Sequence, residues 1–323
     1  MNKVFVSGGS GFLGGYLLDA LVEQGVEVKA LARSDKSAAK VEAKGAVVVR
    51  GDLEDAQAMA AGCRGCDTVF HCAAMVDDWG GYLKFYRLNV TGTRLMLEAA
   101  KQAGVKTFVH VSTEAVLVGD EPIIRATEER PLPAKLMGLY PRTKALAEKE
   151  VLAADCVGFR CVIVRPRLIW GKGDTSVLPK IVEAVESGVF KWIDGGMYLS
   201  STCHVRNVVE GMLLAAKKGD PGGIYFLTDG EPVVVKQFFS ELLKSRGVEP
   251  PTGEVPYGFL ALMAWVGEAI WKLFRIGTSP PITRTGLKLL GEEVTVDDSK
   301  ARRELGYQNV ITIEQGLAEM RMG

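Results

Sequence analysis

Val4-Phe5-Val6-Ser7-Gly8-Gly9-Ser10-Gly11-Phe12-Leu13-Gly14 is a short apolar run that breaks into glycines and then opens a helical pattern reaching Glu23. The spacing predicts a strand over Val4–Val6, a tight turn, and a helix over Phe12–Glu23. Glycines 8, 11 and 14 stand in G-x-x-G-x-x-G register. Glycine permits the tight turn and lets backbone approach a pyrophosphate closely. The helix that follows offers unpaired N–H groups and a partial positive charge to the anion. Gly8, Ser10, Gly11, Phe12, Leu13 and Gly14 are therefore the expected phosphate cradle.

Working outward, apolar runs recur at Val26–Leu31, Ala46–Val49, Thr68–Phe70, Phe108–Val111 and Cys161–Val164. Helical patterns lie between them, among them a long one over Tyr82–Ala103 and another over Tyr140–Ala154. Such alternation predicts an α/β fold, a doubly wound parallel sheet with helices on both faces. After Gly171 the rhythm loosens. Helices are expected near Leu178–Ser187, Val205–Lys217 and Lys236–Ser245, and short strands near Ile224–Leu227 and Val294–Val296. Pro221-Gly222-Gly223, Pro250-Pro251 and Pro280-Pro281 punctuate this half. Residues 1–170 are expected to form the dinucleotide-binding domain. Residues 171–323 are expected to form a smaller mixed α/β substrate domain, some segments of which return to the first.

A chain of 323 residues with 47% hydrophobic content can bury a large core. Its formal net charge of +0 provides no basic field for a phosphodiester backbone, so nucleic acid is not an expected partner. No cationic, apolar, small-residue leader follows Met1, which reads as a cytoplasmic protein or one on the cytosolic face of a membrane. Six cysteines include Cys63-Arg-Gly-Cys66, half the spacing of a zinc site, but no second pair accompanies it. No metal site is expected, and the thiols read as reduced.

The tip of the second strand bears on which dinucleotide fits. An acid there would bind the adenosine ribose diol and repel a 2′-phosphate. Arg33 stands in that place in Ala32-Arg33-Ser34-Asp35-Lys36, and its guanidinium suits a phosphate. NADP(H) is thus expected over NAD(H), although Asp35 stays open as a ribose partner. Asp52 in Gly51-Asp52-Leu53 is placed either to accept from an adenine amino group or to cap a helix starting at Glu54.

Tyr140-Pro141-Arg142-Thr143-Lys144 sets tyrosine and lysine four residues apart, on one face of a helix. A phenol with a reference pKa of about 10 is a poor base at neutral pH, and a neighbouring ammonium stabilises its phenolate. The fifth strand ends in His110-Val111-Ser112-Thr113-Glu114-Ala115. Hydroxyls at the carboxyl end of a parallel strand face the ligand crevice, so Ser112 or Thr113 could donate to a substrate oxygen.

With these pieces in place, the chain resembles the extended short-chain dehydrogenase/reductase family, also described as the NAD-dependent epimerase/dehydratase superfamily, over nearly its whole length. The resemblance rests on the glycine turn, Asp52-Leu53, His71-Cys72-Ala73-Ala74, Asn89-Val90-Thr91-Gly92-Thr93, Ser112-Thr113, Tyr140-x-x-x-Lys144 and Arg165-Pro166-Arg167. It implies a Rossmann sheet. It also implies Thr113 as the triad hydroxyl, Tyr140 as the acid/base, and Lys144 as the group that tunes it and holds the nicotinamide ribose. Leu53, Ala73 and Ala74 would lie near the cofactor and Pro166 would line the nicotinamide side. Asp78-Trp79-Gly80-Gly81, Pro280-Pro281-Ile282-Thr283 and Lys300–Tyr307 resemble the 3β-hydroxysteroid dehydrogenase branch. That branch implies an oxidoreductase interconverting a secondary alcohol and a ketone on a small apolar hydroxy or keto substrate, of the sterol or 3-keto acid type. A nucleotide-sugar epimerase and a non-catalytic redox sensor are the alternatives. Dehydration is disfavoured, because Glu114 is followed by Ala115 rather than a second acid.

Val255–Phe274 is strongly apolar, and its length approaches a membrane span. Glu268 near its middle would be costly in hydrocarbon. A pocket-lining helix, an interfacial helix and a true span remain open, the first two favouring an apolar substrate. The family resemblance also suggests a homodimer through the helices starting near Tyr82 and Tyr140.

Overall fold

The computed structural model describes residues 1–77, 79–274 and 276–322. Asp78, which opens the 78–81 motif, lies outside the described residues. Strands β1 (Lys3–Ser7), β2 (Glu27–Ala32), β3 (Val47–Arg50), β4 (Thr68–His71), β5 (Thr107–Val111), β7 (Arg160–Pro166) and β9 (Ile224–Leu227) form a seven-stranded parallel sheet in the order β9-β7-β5-β4-β1-β2-β3. Chain order reverses between β1 and β4. In open α/β sheets such a switch point, beyond the carboxyl ends of the strands, is where a ligand crevice is expected.

The period-two alternation of the strands sends their side chains to two separate cores. Val4, Val6, Ala30, Val109 and Val162 are buried beneath α1 (Phe12–Glu23), α2 (Asp35–Glu42) and α8 (Val205–Lys218). Phe5, Leu31, Val69, Phe108 and Ile163 are buried beneath α3 (Ala56–Cys63), α5 (Gly92–Gln102) and α6 (Leu139–Ala154). Burial on both faces is what an all-parallel sheet requires.

The helix expected over Tyr82–Ala103 is interrupted. A short α4 (Tyr82–Phe85) passes into a π-helical turn over Tyr86–Thr91 before α5 begins. The Thr93 hydroxyl donates to the Asn89 carbonyl at 2.7 Å, and the Asn89 side chain is drawn outward to the Met75 backbone. Side chains that take over helix carbonyls in this way are a recognised origin of such bulges. The capping alternative for Asp52 is also corrected. The helix starts at Ala56, and Asp55 caps it by accepting from the Ala58 N–H at 2.9 Å. Asp52 instead accepts from Glu54 N–H in a local turn.

A second, mixed sheet runs in the order β10-β8-β11-β6, from β6 (Ile123–Ala126), β8 (Leu199–Ser200), β10 (Val233–Val234) and β11 (Val294–Val296). Helices α7 (Leu178–Glu186), α9 (Val235–Lys244) and α12 (Ile313–Arg321) gather a further apolar cluster around Trp170, Trp192, Phe238 and Phe239. Helices α10 (Tyr257–Leu273) and α11 (Arg284–Leu290) pack on each other.

Candidate functional site

The glycine turn closes over itself through the Gly11 N–H, which donates to the Gly8 carbonyl at 3.0 Å. A Cβ on Gly14 would sit 2.0 Å from that carbonyl oxygen. Gly8 has φ +76°, and a Cβ there would reach 2.8 Å from the Ala73 nitrogen, so the turn and the segment after β4 meet backbone to backbone. No side chain caps α1 at Gly11, which leaves its first N–H groups open toward the crevice. Ser10, Phe12 and Leu13 are half-buried around it.

Beneath the turn lies a buried polar layer. The Ala73 N–H donates to Ser7 Oγ at 3.3 Å, and Ser7 Oγ lies 2.7 Å from His71 Nδ1. His71 Nε2 lies 3.0 Å from Thr93 Oγ1. Because the Thr93 hydroxyl already donates to Asn89, it must accept from His71. The imidazole therefore carries its proton on Nε2 and accepts the Ser7 hydroxyl at Nδ1. Burial, with the Lys144 ammonium nearby, holds His71 down at about 3, so the ring is neutral. Asn89 clamps Met75 through both its backbone groups, at 2.7 and 3.0 Å. Ala73 and Ala74 are thus held from both ends.

Tyr140 and Lys144 lie on one face of α6. Tyr140 is half-buried and packs against the apolar cluster of Ala115, Val116 and Leu117, just past Thr113. Lys144 is 2% exposed. Its ammonium donates to the Val111 carbonyl at 2.7 Å and to His110 Nε2 at 3.0 Å, both on β5. Burial pulls Lys144 down to about 8, against the opposing pull of Glu148. Glu148 itself meets Arg165 in a buried bidentate pair at 2.8 and 2.6 Å. Pro166, next to Arg165, is buried at the carboxyl end of β7.

Thr113 is buried, and its hydroxyl donates to Glu114 at 2.8 Å. The Glu114 carboxylate forms a buried ion pair with Arg167 at 2.8 Å. Arg167 also donates to the Leu289 carbonyl of α11. Gly138, which precedes α6, has φ +89°, and a Cβ there would fall 2.3 Å from the hydroxyl oxygen of Thr285 on α11. Helix α11 is therefore seated against the first turn of α6, beside Tyr140. Sequence reading did not single out Glu114–Arg167 or His110–Lys144 as pairs. The former is 53 residues apart and the latter 34, and no local pattern joins them. Ser112, the other candidate hydroxyl, is 4% exposed.

At the far end of the crevice Arg33 is exposed at the tip of β2, next to Ser34, which caps α2. Asp35 is engaged by Arg50 at 2.8 Å. Asp52 is exposed and Leu53 buried behind it. The six cysteines are free, and burial raises Cys63 to about 12.

Residues 5–256 match the model of the 3-beta hydroxysteroid dehydrogenase/isomerase family. The chain is 46% identical to the 4-hydroxy-2-methyl-3-oxo-4-farnesyl-3,4-dihydroquinoline-1-oxide ketoreductase of Stigmatella aurantiaca, over 99% of this chain and 96% of that protein. It is 35% identical to the decarboxylating sterol-4-alpha-carboxylate 3-dehydrogenase of Dictyostelium discoideum, over 99% of this chain and 100% of the other. The crystal structure of dTDP-glucose 4,6-dehydratase from Streptomyces venezuelae with NAD bound superimposes with a TM-score of 0.77 at 25% identity, covering 99% of this chain and 96% of that one. On the family match and these identities, the chain belongs to the 3-beta hydroxysteroid dehydrogenase/isomerase family and is an oxidoreductase of CH–OH groups.

Proposed function

We propose that this oxidoreductase moves a hydride between a nicotinamide dinucleotide and the carbinol or carbonyl carbon of an apolar substrate, a 3β-hydroxysteroid, a sterol or a 3-keto acid. One observation carries the reading: Lys144, one turn along from Tyr140, is buried and fixed to the end of β5 by His110 and Val111. The ketoreductase and sterol dehydrogenase among the relatives support the apolar substrate class.

The residues present fit the dinucleotide. Gly8, Gly11 and Gly14 leave a cradle that Cβ atoms would fill, at the uncapped start of α1. When bound, the nicotinamide supplies or accepts the hydride. In reduction Tyr140 gives its phenolic proton to the developing alkoxide, and in oxidation it takes the proton back. The Lys144 ammonium stabilises the phenolate and offers its remaining N–H to the ribose. The Thr113 hydroxyl turns from Glu114 to the substrate oxygen.

NADP(H) is the preferred dinucleotide in this reading, because Arg33 is exposed at the tip of β2 and, among the described residues, meets no acid, while Asp35 is held by Arg50. Fluorescence titration should give tighter binding of NADPH than of NADH. Arg33→Glu should weaken NADPH by about 10- to 100-fold, the loss of one charge-assisted phosphate contact, and spare NADH. An unchanged ratio of the two affinities would remove Arg33 from the site.

Helix α10 is amphipathic in the inverted sense. Its one acid, Glu268, is buried at 7% exposure and held by Arg284 at 2.8–3.0 Å, whereas Phe259, Leu262, Trp265 and Leu273 are 56–76% exposed. Among the described residues no helix is long and apolar enough to cross a membrane. The outward face of α10 is proposed to rest in a lipid surface from which the substrate enters. The protein should co-float with phosphatidylcholine vesicles. Phe259→Ser with Leu262→Ser should cut that partition by at least about tenfold, the free energy of two withdrawn apolar side chains. Equal flotation of the variant would contradict the assignment.

A further inference from the structure

His110 is an expensive residue to keep where it is. It is 0% exposed, in the middle of a parallel sheet, between His71 of β4 and Ile163 of β7. Its Nε2 faces an ammonium, which can only donate, so Nε2 must be the acceptor and the ring proton must sit on Nδ1. Nδ1 is buried and, among the described residues, meets no hydrogen-bond partner. An unmet buried donor costs roughly 1–3 kcal/mol, and a phenylalanine ring would remove that cost while leaving a Lys144 N–H unmet in its place. What the imidazole offers that a phenylalanine would not is an acceptor for Lys144.

The geometry around Lys144 supplies the reason. An ammonium has three N–H donors. One goes to the Val111 carbonyl at 2.7 Å and one to His110 Nε2 at 3.0 Å. Two fixed acceptors on one strand leave the third donor a single direction. The plane of His110 is itself held, because it stacks on His71 at 5.4 Å and 29° between rings, and His71 is bonded at both nitrogens. The chain of contacts runs from Ser7, at the edge of the glycine turn, through His71 and His110 to Lys144.

We propose that His110 is a positioning residue for the reaction, whose Nε2 lone pair aims the Lys144 ammonium and keeps it protonated. This rests on the assignment of Lys144 to the catalytic machinery. The charged and titratable groups around Lys144 are Glu148 of α6, which pairs with Arg165 of β7, and His71 and Cys72 at the end of β4, with Tyr140 one turn back on α6. Apart from His71, whose ring stacks on His110, none of these contacts the side chain that is replaced. Removing the acceptor makes the ammonium easier to deprotonate, so the alkaline limb of the pH profile moves to lower pH.

Four proteins test this: wild type, Lys144→Met, His110→Phe and His110→Gln. Phenylalanine keeps the ring and loses the acceptor. Glutamine restores a carbonyl acceptor near the place of Nε2. His110→Phe is expected to lower kcat by about 10- to 100-fold, the scale of a misaimed catalytic group. KM should change little, and the alkaline limb should shift down by about one pH unit. Its thermal midpoint should stay near that of wild type, one unmet N–H being exchanged for another. His110→Gln should recover most of the rate and return the limb. If Lys144→Met keeps full turnover, the reading of the site fails and the inference falls with it. If Lys144→Met is inactive while His110→Phe matches wild type in rate and profile, only the inference fails. If both His110 variants are equally slow and both melt early, His110 is merely structural and the inference is overturned.

Discussion

Tyr140→Phe should lower kcat by about a thousandfold, within the range that general acid–base catalysis contributes, and leave dinucleotide affinity within about threefold. The substitution removes one oxygen. The ring keeps its place against Ala115, Val116 and Leu117, and α6 keeps the helical register that sets Lys144 under β5. Lys144 keeps its bonds to His110 and Val111, since neither involves the phenol. The cradle for the dinucleotide is built from other elements. Loss should therefore appear in kcat and in kcat/KM together, as expected of an interaction made in the transition state. Steady-state kinetics with fluorescence titration separates the two quantities. A variant that turns over at the wild-type rate would transfer the acid/base role elsewhere.

Gly14→Ala is the second large effect, and it falls on binding. The added Cβ would lie 2.0 Å from the Gly8 carbonyl oxygen and 2.8 Å from the Gly9 Cα. Both contacts are with backbone, which has no rotamer to yield. Relief requires the turn to open, and the turn is also the proposed phosphate cradle. Affinity for NADPH should fall by at least about a hundredfold, and stability should fall by about 1–3 kcal/mol or more from overpacking. Gly15→Ala is the control. A Cβ there meets its nearest atoms at 3.9 Å, and alanine is the better helix former, so melting temperature and binding should hold or rise slightly. Equal behaviour of the two variants would show that the close approach at Gly14 does not matter.

Parts of the molecule that depend on neighbouring residues were legible in the sequence. The helix over Phe12–Glu23 matches the expected bounds, because a glycine turn and a periodic apolar face mark it locally. Tyr140 and Lys144 share a helix face by spacing alone. Three helices escaped notice, α2, the short α11 and α12, the first and last for equally local reasons. Helix α2 buries only Ala38 and Val41, and α12 carries Gly316 inside it. The π-helical turn at Tyr86–Thr91 arises from Asn89 reaching a loop 14 residues away in sequence, which periodicity does not encode. The buried pairs Glu114–Arg167 and His110–Lys144 exist only once β5, β7 and α6 are side by side. For α10, the apolar character was plain, but which face met the protein was not. Glu268 had looked like an obstacle to burial in lipid. Turned inward onto Arg284, it is the anchor that leaves the apolar face outside.

The role of Glu114 follows from the same assembly. In a dehydratase-like site a second acid would follow it, and here Ala115 does. Glu114 is taken up by Arg167 and Thr113, and through Arg167 it ties the end of β5 to α11. A carboxylate so engaged orients a hydroxyl and braces the substrate side of the crevice. That is consistent with hydride and proton transfer without elimination.

The most direct measurement follows a labelled hydride. The purified protein is mixed with 4-deuterated NADPH and an apolar 3-keto compound, steroid or 3-keto acid, and the product is analysed by mass spectrometry. Deuterium on the carbinol carbon, formed by wild type and not by Tyr140→Phe, is the predicted result. Interconversion of nucleotide-sugar epimers with no label transferred to any apolar ketone would contradict it, leaving the fold but not the reaction assigned to it.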